Sequence, residues 1–357
     1  MFNAGRLSLA RARRGLTAKA LAEKAGVGVD TITRLEKGRN TPEADTIEKL
    51  AKALGYPPAF FTGEDVEEVD VEAVSFRSFS KMTARERDAA IAAGSLGLLL
   101  NEWVEARFGL PDPDLLDLSH ESDPEIAAAH LRQYWGLGQQ PIGKLLALFE
   151  TKGIRLFSLS ENTASVNAFS FWRGGKPFVF LNNFKSAESS RFDAAHELGH
   201  LVMHKHGDPK GDRSLEREAN HFASAFLMPP DDVLVRVPRF VSTDVVLNAK
   251  ARYKVSAMAL AYRLHQLNRL SDWQYKSVCI DLSRRGYRSG EPDGIDRETS
   301  VVWRKILTLL WKEKVTREDI AKELGIPLDE IEGLVWSLTA GTDQPAHPSG
   351  SSLHVVS

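Results

Sequence analysis

Cysteine is nearly absent from this 357-residue sequence, in which Cys279 stands alone. A single cysteine excludes an internal disulfide framework and a zinc site built from thiolates. We interpret Cys279 as a small buried side chain rather than a nucleophile. Any zinc ion bound by this chain would therefore take its ligands from histidine and carboxylate side chains.

Long apolar runs and a strong net charge are also missing. No apolar stretch reaches the roughly 20 residues needed to cross a bilayer, and the first residues lack the apolar core and cleavage site of a secretory signal. The composition is 43 % hydrophobic and 26 % charged, with a net charge of −2. We therefore expect a cytoplasmic protein with no membrane partner and with chain enough for several domains.

The small net charge conceals a basic N-terminal segment. Residues 1–63 carry eleven Lys or Arg residues against six Asp or Glu, a net charge of +5, and an acidic stretch at 64–70 follows. This change of sign indicates a domain boundary. The expected organisation is a domain at 1–63, an acidic hinge and helical connector at 64–123, a second domain at 124–290, a small helical unit at 291–340 and a disordered tail at 341–357.

Within residues 1–63 the apolar residues recur with helical spacing. Thr17 can cap one short helix, and further helices are expected at 29–37 and 43–54, with glycines at the turns. Short helices joined by glycine turns on a basic surface are typical of a helix-turn-helix domain, which binds double-stranded DNA.

The rest of the chain mixes helices with a few short strands. One long connector helix is expected at 83–108, strands at 154–157, 166–171 and 178–181, and helices at 189–204 and 215–227. We therefore expect a multidomain, mainly α protein: an all-α N-terminal domain, an α+β domain with a small sheet, and a helical C-terminal unit. The last unit has an acidic helix start at Asp329-Glu330, which favours packing or oligomerisation over DNA binding.

The stretch His196-Glu197-Leu198-Gly199-His200 carries the clearest chemical signal. On a helix, His196 and His200 are four residues apart and project from the same face, so both can bind one metal ion. Glu197 lies between them, where a carboxylate can accept a proton from a metal-bound water. The motif therefore predicts a zinc site on the helix at 189–204.

A catalytic zinc site takes about three protein ligands, so one more is needed. The downstream residues that could supply it are His204, His206, Asp208, Asp212, Glu216, Glu218 and His221. Three histidines from one straight helix cannot readily enclose a tetrahedral ion, which disfavours His204. Glu216 and Glu218 lie about 200° apart around the next helix, so only one of them can face the metal.

A resemblance to a known family bears on this choice. The residues that carry it are Arg191-Phe192, His196 to His204, Glu216, Ala219-Asn220, Phe222-Ala223 and Phe226 to Pro229, with Phe76-Arg77, Leu181-Asn182 and Glu291-Pro292 further away. The pattern resembles the ImmA/IrrE family of metallopeptidase domains over roughly residues 70–290. The resemblance implies a zincin-like fold with Glu197 as the general base. The Zn2+ ligands that it implies are His196, His200 and Glu216.

Other polar residues near the motif could support the ligands. His204, Asn220 and His221 are candidates to orient them, and His204, His221 or Tyr253 could stabilise an oxyanion. Each of the first two has a plain alternative. His204 could be a helix-surface residue, and Asn220 could be an amide that packs two helices together.

The N-terminal segment resembles the XRE class of helix-turn-helix domains, the fold of phage repressors. The matching residues are Leu21-Ala22, Ala25-Gly26-Val27, Ile32, Leu35-Glu36, Gly38, Pro42 and Leu50 to Leu54. The resemblance implies a recognition helix that starts near Gly28. Its major-groove residues would be Val29, Asp30, Thr31 and Arg34, and its phosphate contacts Lys37, Arg39 and Asn40. The alternative is a domain that only forms a homodimer or docks another protein.

Together the two resemblances predict a DNA-binding transcription regulator that carries a zinc endopeptidase. Its substrate would be one repressor- or antitoxin-like protein, in a stress, prophage or toxin–antitoxin setting. The alternative is a regulator whose zincin-like domain is a non-hydrolytic sensor or docking module, because a site can keep zinc and lose turnover.

Overall fold

The computed structural model describes residues 1–70, 74–76, 82–159, 168–182, 184–205, 213–335, 338–339 and 354–355. Helices dominate these residues, together with one small sheet and one short two-stranded pairing. The mainly α architecture with a helix-turn-helix and an α+β domain is confirmed. Among the described residues, no helix combines the length and the apolar character that crossing a membrane requires.

The N-terminal domain consists of short helices packed around one core. They are α1 Ala4–Arg13, α2 Ala18–Ala25, α3 Val29–Glu36 and α4 Ala44–Leu54, followed by a 3-10 turn at Pro58–Thr62. The Thr17 side chain accepts a hydrogen bond from Ala20 N and so caps α2, as expected. Gly26 ends that helix with φ at +67°, a backbone conformation that favours glycine. Ile32 and Leu35 bury the inner face of α3.

The helix that the sequence suggested as a connector is a buried central element. α5 spans Ala84–Glu105 and begins at a capping box between Thr83 and Glu86, so it is shorter than the expected 83–108. It packs against α1 and against the sheet. A Cβ added at Gly97 would lie 2.6 Å from the ring of Phe180, so only glycine fits this contact. α5 therefore joins the N-terminal domain to the rest of the protein by packing.

A four-stranded sheet forms the β part of the central domain. The strands are β1 Ser75–Phe76, β3 Arg155–Leu159, β4 Ala168–Arg173 and β5 Lys176–Asn182, in the order β1-β4-β5-β3, with β2 Phe108–Gly109 outside this sheet. β3 and β5 run parallel, and the other pairs are antiparallel. Phe157 and Phe169 each stack on the ring of Phe180 in the core. Residues 166 and 167 of the expected second strand, and Arg77, lie outside the described residues.

One helix packed on this sheet and a second helix packed on the first position the motif. They follow α6 Pro124–Tyr134 and α7 Leu145–Thr151: α8 Ala187–Met203 lies on β4 and β5, and α9 Arg213–Leu227 packs along α8. Their close approach depends on Gly199, whose added Cβ would lie 3.0 Å from Phe222 Cδ1 and 3.3 Å from Ala219 Cα. Helices α10 Pro230–Arg236, α11 Thr243–Tyr253, α12 Ala257–Gln266 and α13 Asp272–Arg284 complete the domain.

The C-terminal helices contact both halves of the molecule. They are α14 Val301–Lys312, α15 Arg317–Leu324 and α16 Leu328–Val335. Buried Glu330 on α16 accepts hydrogen bonds from Arg13 Nε at 2.7 Å and from the Tyr56 hydroxyl at 2.8 Å. Arg14 binds the neighbouring Asp329 at 2.7 Å. The acidic start of this helix is therefore paired with the helix-turn-helix domain, and we call these contacts of Arg13, Arg14 and Tyr56 with Asp329 and Glu330 the α1–α16 clamp.

Only a small part of the C-terminal tail belongs to the described residues. Within 341–357, residues His354–Val355 form β6, which pairs antiparallel with β2. The expectation of disorder otherwise concerns residues that the structure does not describe. Cys279 is half-buried on α13, so it is less enclosed than expected.

Candidate metal centre

The two motif histidines and one carboxylate converge between α8 and α9. Nε2 of His196 and Nε2 of His200 lie 3.1 Å apart. The Glu216 carboxylate oxygens lie 3.5 Å from His196 Nε2 and 3.3 Å from His200 Nε2. Within the described part of the chain, these three are the only group of His, Cys, Asp or Glu side chains placed to hold one metal ion. The structure thus brings together the three ligands that the family resemblance implied.

The spacing of these atoms fits a zinc ion. Zinc bonded to nitrogen and oxygen at about 2.0–2.1 Å in tetrahedral geometry sets its ligand atoms roughly 3.3 Å apart. The two Nε2 atoms are 3.1 Å apart, and each lies 3.3 or 3.5 Å from one of the two Glu216 carboxylate oxygens, which is close to this spacing. Nitrogen and carboxylate donors without thiolate are also a donor set that zinc accepts. The residues present therefore fit the ion that the sequence implied.

The electrostatics of the cluster favour an ionised carboxylate at Glu216. Burial by itself disfavours the charged form, but hydrogen bonds with His196 and His200 outweigh it and lower the pKa of Glu216 to about 2. His196 is fully buried and His200 nearly so, whereas the Glu216 side chain keeps 27 % of its exposure. The site is thus open toward solvent on the side of α9.

Glu197 is oriented by a residue that the sequence did not single out. Its carboxylate is fully buried, and Oε2 accepts a hydrogen bond of 2.7 Å from the Ser170 hydroxyl of β4. Because β4 lies directly under α8, this strand fixes the carboxylate of the motif. Ser170 carries no spacing signal relative to the motif, so only the packing of the strand on the helix could reveal it.

Asn220 links two of the three candidate ligands. Its Nδ2 donates to the Glu216 carbonyl oxygen at 2.7 Å, which turns its Oδ1 toward His196 Nδ1, 3.2 Å away. An amide held in this way accepts the proton of His196 Nδ1 and leaves Nε2 free to bind a metal. The orienting role suggested from the sequence is consistent with these contacts, and it stays a prediction.

His204 and His221 occupy different positions relative to the cluster. His204 Nδ1 lies 2.9 Å from His200 Nδ1, so it touches a candidate ligand. Burial, and next the neighbouring His200, lower the pKa of His204 and favour its neutral form. His221 is exposed and bonds with the Tyr262 hydroxyl at 3.2 Å.

The other residues considered for the site are placed elsewhere or not described. The Tyr253 hydroxyl donates to Asp232 at 2.9 Å, which ties it to α10. His206, Asp208 and Asp212 fall in the range 206–212, outside the described residues. Glu218 faces His204 rather than the motif pair, whereas Glu216 faces both motif histidines.

The candidate DNA-contacting residues lie on one surface of the N-terminal domain. Val29 is 44 % exposed at the start of α3, and Asp30 and Arg34 are exposed along it. Thr31 is half-buried. The residues after the helix, Lys37, Arg39 and Asn40, are all exposed. All seven are thus on or directly after α3, as a recognition helix requires, and their contacts with DNA remain a prediction.

Comparison with known proteins agrees with both parts of this architecture. Residues 149–265 match the model of the IrrE N-terminal-like domain, a peptidase family, and residues 7–61 match a helix-turn-helix family model. A stretch of 60 residues is 37 % identical to the cryptic phage CTXphi transcriptional repressor RstR of Vibrio cholerae. That stretch is 17 % of this chain and 54 % of the repressor, so the chain spans about half the length of this curated relative.

These matches identify two domains in the chain, a helix-turn-helix domain and a peptidase-like domain. The chain carries an XRE-type helix-turn-helix domain, followed by an IrrE/ImmA-like domain of the metallopeptidase fold. The match to the IrrE N-terminal-like domain starts within α7 and ends in α12, so it contains β3, β4 and β5 as well as α8 and α9.

Proposed function

We propose that this protein is a DNA-binding transcription regulator whose zinc-dependent endopeptidase domain cleaves one repressor- or antitoxin-like protein. The observation that carries the proposal is the convergence of His196, His200 and Glu216 at zinc-ligand spacing, next to the buried Glu197. The fused helix-turn-helix domain argues for a substrate restricted to DNA-associated regulation.

The chain's own residues have separate roles in the proposed reaction. Zinc, when bound, supplies a Lewis acid that activates water and polarises the scissile carbonyl. Glu197 takes the proton of the attacking water and later delivers it to the leaving amine. Ser170 holds one oxygen of that carboxylate, and Asn220 keeps His196 in the tautomer that presents Nε2.

The decisive experiment compares the full-length protein with its Glu197→Gln variant. Both are assayed for bound zinc and then incubated with the protein encoded by the adjacent gene. We expect equal zinc content, cleavage by the wild type and no cleavage by the variant. Full cleavage by Glu197→Gln would overturn the proposed role of this carboxylate.

The same experiment distinguishes the peptidase function from a second candidate function, a regulator with a non-hydrolytic sensor domain. The similarity to a transcriptional repressor, confined to the DNA-binding part, favours regulation independently of hydrolysis. Zinc binding without cleavage of any adjacent gene product by the wild type would support this candidate.

DNA binding is tested through the recognition helix. Arg34→Ala should weaken binding to the protein's own promoter region and relax its sequence preference, because an arginine in the major groove can contact guanine through two hydrogen bonds. Arg284→Ala, which removes an exposed arginine from α13, is the matched control and should leave binding unchanged. Equal affinities for all three proteins would contradict the proposed role of α3.

A further inference from the structure

Each candidate histidine ligand has a partner on its second ring nitrogen. For His196 the partner is Asn220. For His200 the contact continues through a second imidazole: His200 Nδ1 lies 2.9 Å from His204 Nδ1, and His204 Nε2 lies 3.1 Å from Glu218 Oε2. The described contacts thus form one chain, His200–His204–Glu218, leading from the centre of the site to the rim of α9.

The direction of the hydrogen bonds in this chain is fixed from its outer end. A carboxylate only accepts hydrogen bonds, so the proton between Glu218 and His204 resides on His204 Nε2. A neutral His204 then accepts at Nδ1, and the proton of that bond must come from His200 Nδ1. His200 Nε2 is consequently left with its lone pair, and this atom faces His196 and Glu216.

We propose that Glu218, acting through His204, is a positioning residue that holds His200 in the metal-binding tautomer and orientation. This inference rests on the proposed zinc site. A carboxylate at the end of such a chain also makes the ligand nitrogen a stronger donor, and loss of comparable partners weakens metal affinity by about 10- to 100-fold.

Helix packing explains why two glutamates two residues apart serve different histidines. Glu216 reaches both motif histidines, whereas Glu218, displaced around α9, reaches His204 one turn beyond His200 on α8. The His204 side chain is 8 % exposed and that of Glu218 is 36 % exposed, so Glu218 can be replaced without opening the core.

The test measures zinc affinity of the full-length chain by competition with a chelator. Glu218→Gln retains an acceptor and removes the charge, and Glu218→Leu removes both. We expect weaker zinc binding in both variants, with the loss approaching about 10- to 100-fold in Glu218→Leu. Glu102→Leu, at an exposed glutamate of α5, is the matched control and should bind zinc as the wild type does.

Two further readouts separate positioning from a general loss of structure. The visible spectrum of the Co2+-loaded protein should change in Glu218→Leu and His204→Phe, because His200 would change its orientation at the metal. The losses of zinc affinity should not add in the double variant, since both substitutions interrupt one chain.

The outcomes distinguish this inference from the function on which it rests. If the wild type binds zinc tightly and both Glu218→Leu and His204→Phe match it in zinc affinity and Co2+ spectrum, the positioning role of Glu218 and His204 is wrong and the zinc site stands. Additive losses of zinc affinity when Glu218→Leu and His204→Phe are combined would also overturn this role. If the folded wild type binds no zinc, the proposed function fails and this inference fails with it.

Discussion

Glu150 shows how a single buried carboxylate can connect domain packing to pH. Its side chain lies at the start of α14, where it accepts hydrogen bonds from the Ser300 hydroxyl and from Val301 N. Burial raises the pKa of Glu150 to about 7, although these hydrogen bonds oppose the shift. The folded protein therefore retains this proton in a pH range where the unfolded chain has already released it.

The shifted pKa of Glu150 makes the stability of the fold depend on pH. Between pH 4.5 and about 7 the folded state binds more protons at Glu150 than the unfolded state, so stability falls as pH rises through this window. The contribution is about 3 kcal/mol across the window. In Glu150→Gln the free energy of unfolding should no longer decrease by this amount as pH rises, as measured by urea unfolding at pH 5 and about pH 8. Glu102→Gln should behave as the wild type, and an unchanged fall in Glu150→Gln would contradict the assignment.

Ser170 gives a prediction about catalysis at the same scale. Ser170→Ala removes the hydrogen bond that holds Glu197, so cleavage of the genuine substrate should slow by roughly 10-fold, on the scale of a charge-assisted hydrogen bond. Zinc content should stay unchanged, because Ser170 touches none of the three candidate ligands. Ser283→Ala, which removes a serine hydroxyl bonded to the Cys279 carbonyl, serves as the control. Unaltered cleavage by Ser170→Ala would show that Glu197 needs no such support.

At the scale of elements, local sequence patterns predicted most of the helices, although not α1 or the end of α5, and they did not predict what the helices pack against. The spacing of His196 and His200 predicted their common helical face, and Thr17 predicted the start of α2. The burial of α5 and the hydrogen bond of Ser170 to Glu197 could not be predicted, because both depend on contacts between segments distant in sequence. Glu216 was selected over Glu218 only through family resemblance, since their helical positions alone left the choice open.

The close crossing of α8 and α9 can be tested by enlarging Gly199. Gly199→Ala places a Cβ against Phe222 and Ala219, which should separate the helices, destabilise the fold by about 1–3 kcal/mol and weaken zinc binding. Thermal unfolding and zinc titration measure the two effects. Gly143→Ala is the matched control, because its added Cβ would meet no atom within 4 Å. A stable Gly199→Ala variant with normal zinc affinity would show that the crossing tolerates a wider spacing.

At the scale of the whole molecule, the C-terminal unit ties the DNA-binding domain to the peptidase-like domain. α16 lies against β3, where the Ser158 hydroxyl donates to the Gly333 carbonyl, and it forms the α1–α16 clamp on its other side. The acidic sequence of this helix predicted that it would not bind phosphate. Its basic and aromatic partners could be found only in the folded chain, since Arg13 and Glu330 are 317 residues apart.

Breaking the clamp should therefore affect the stability of the whole chain. Glu330→Ala removes the buried carboxylate that accepts hydrogen bonds from Arg13 and Tyr56, and loss of one member of a buried ion pair costs about 3–5 kcal/mol. We expect a lower unfolding midpoint in Glu330→Ala, with the N-terminal domain unfolding separately from the rest. Glu332→Ala, at an exposed position on the same helix, should leave the transition unchanged. If Glu330→Ala unfolds at the same midpoint as Glu332→Ala and the wild type, the clamp has no stabilising role.

The clamp also limits how much of the N-terminal positive charge can displace counterions from DNA. Four of the eleven basic residues of 1–63 are buried or half-buried arginines that bind acceptors within the protein: Arg6 the Glu64 carbonyl, Arg11 Glu36, Arg13 Glu330 and Arg14 Asp329. At the surface, Lys19 and Lys49 pair with Glu23 and Asp45. The exposed remainder consists of Lys19, Lys24, Arg34, Lys37, Arg39, Lys49 and Lys52. The logarithm of the DNA-binding constant of one protomer should therefore fall with the logarithm of salt concentration with a slope no steeper than roughly −6.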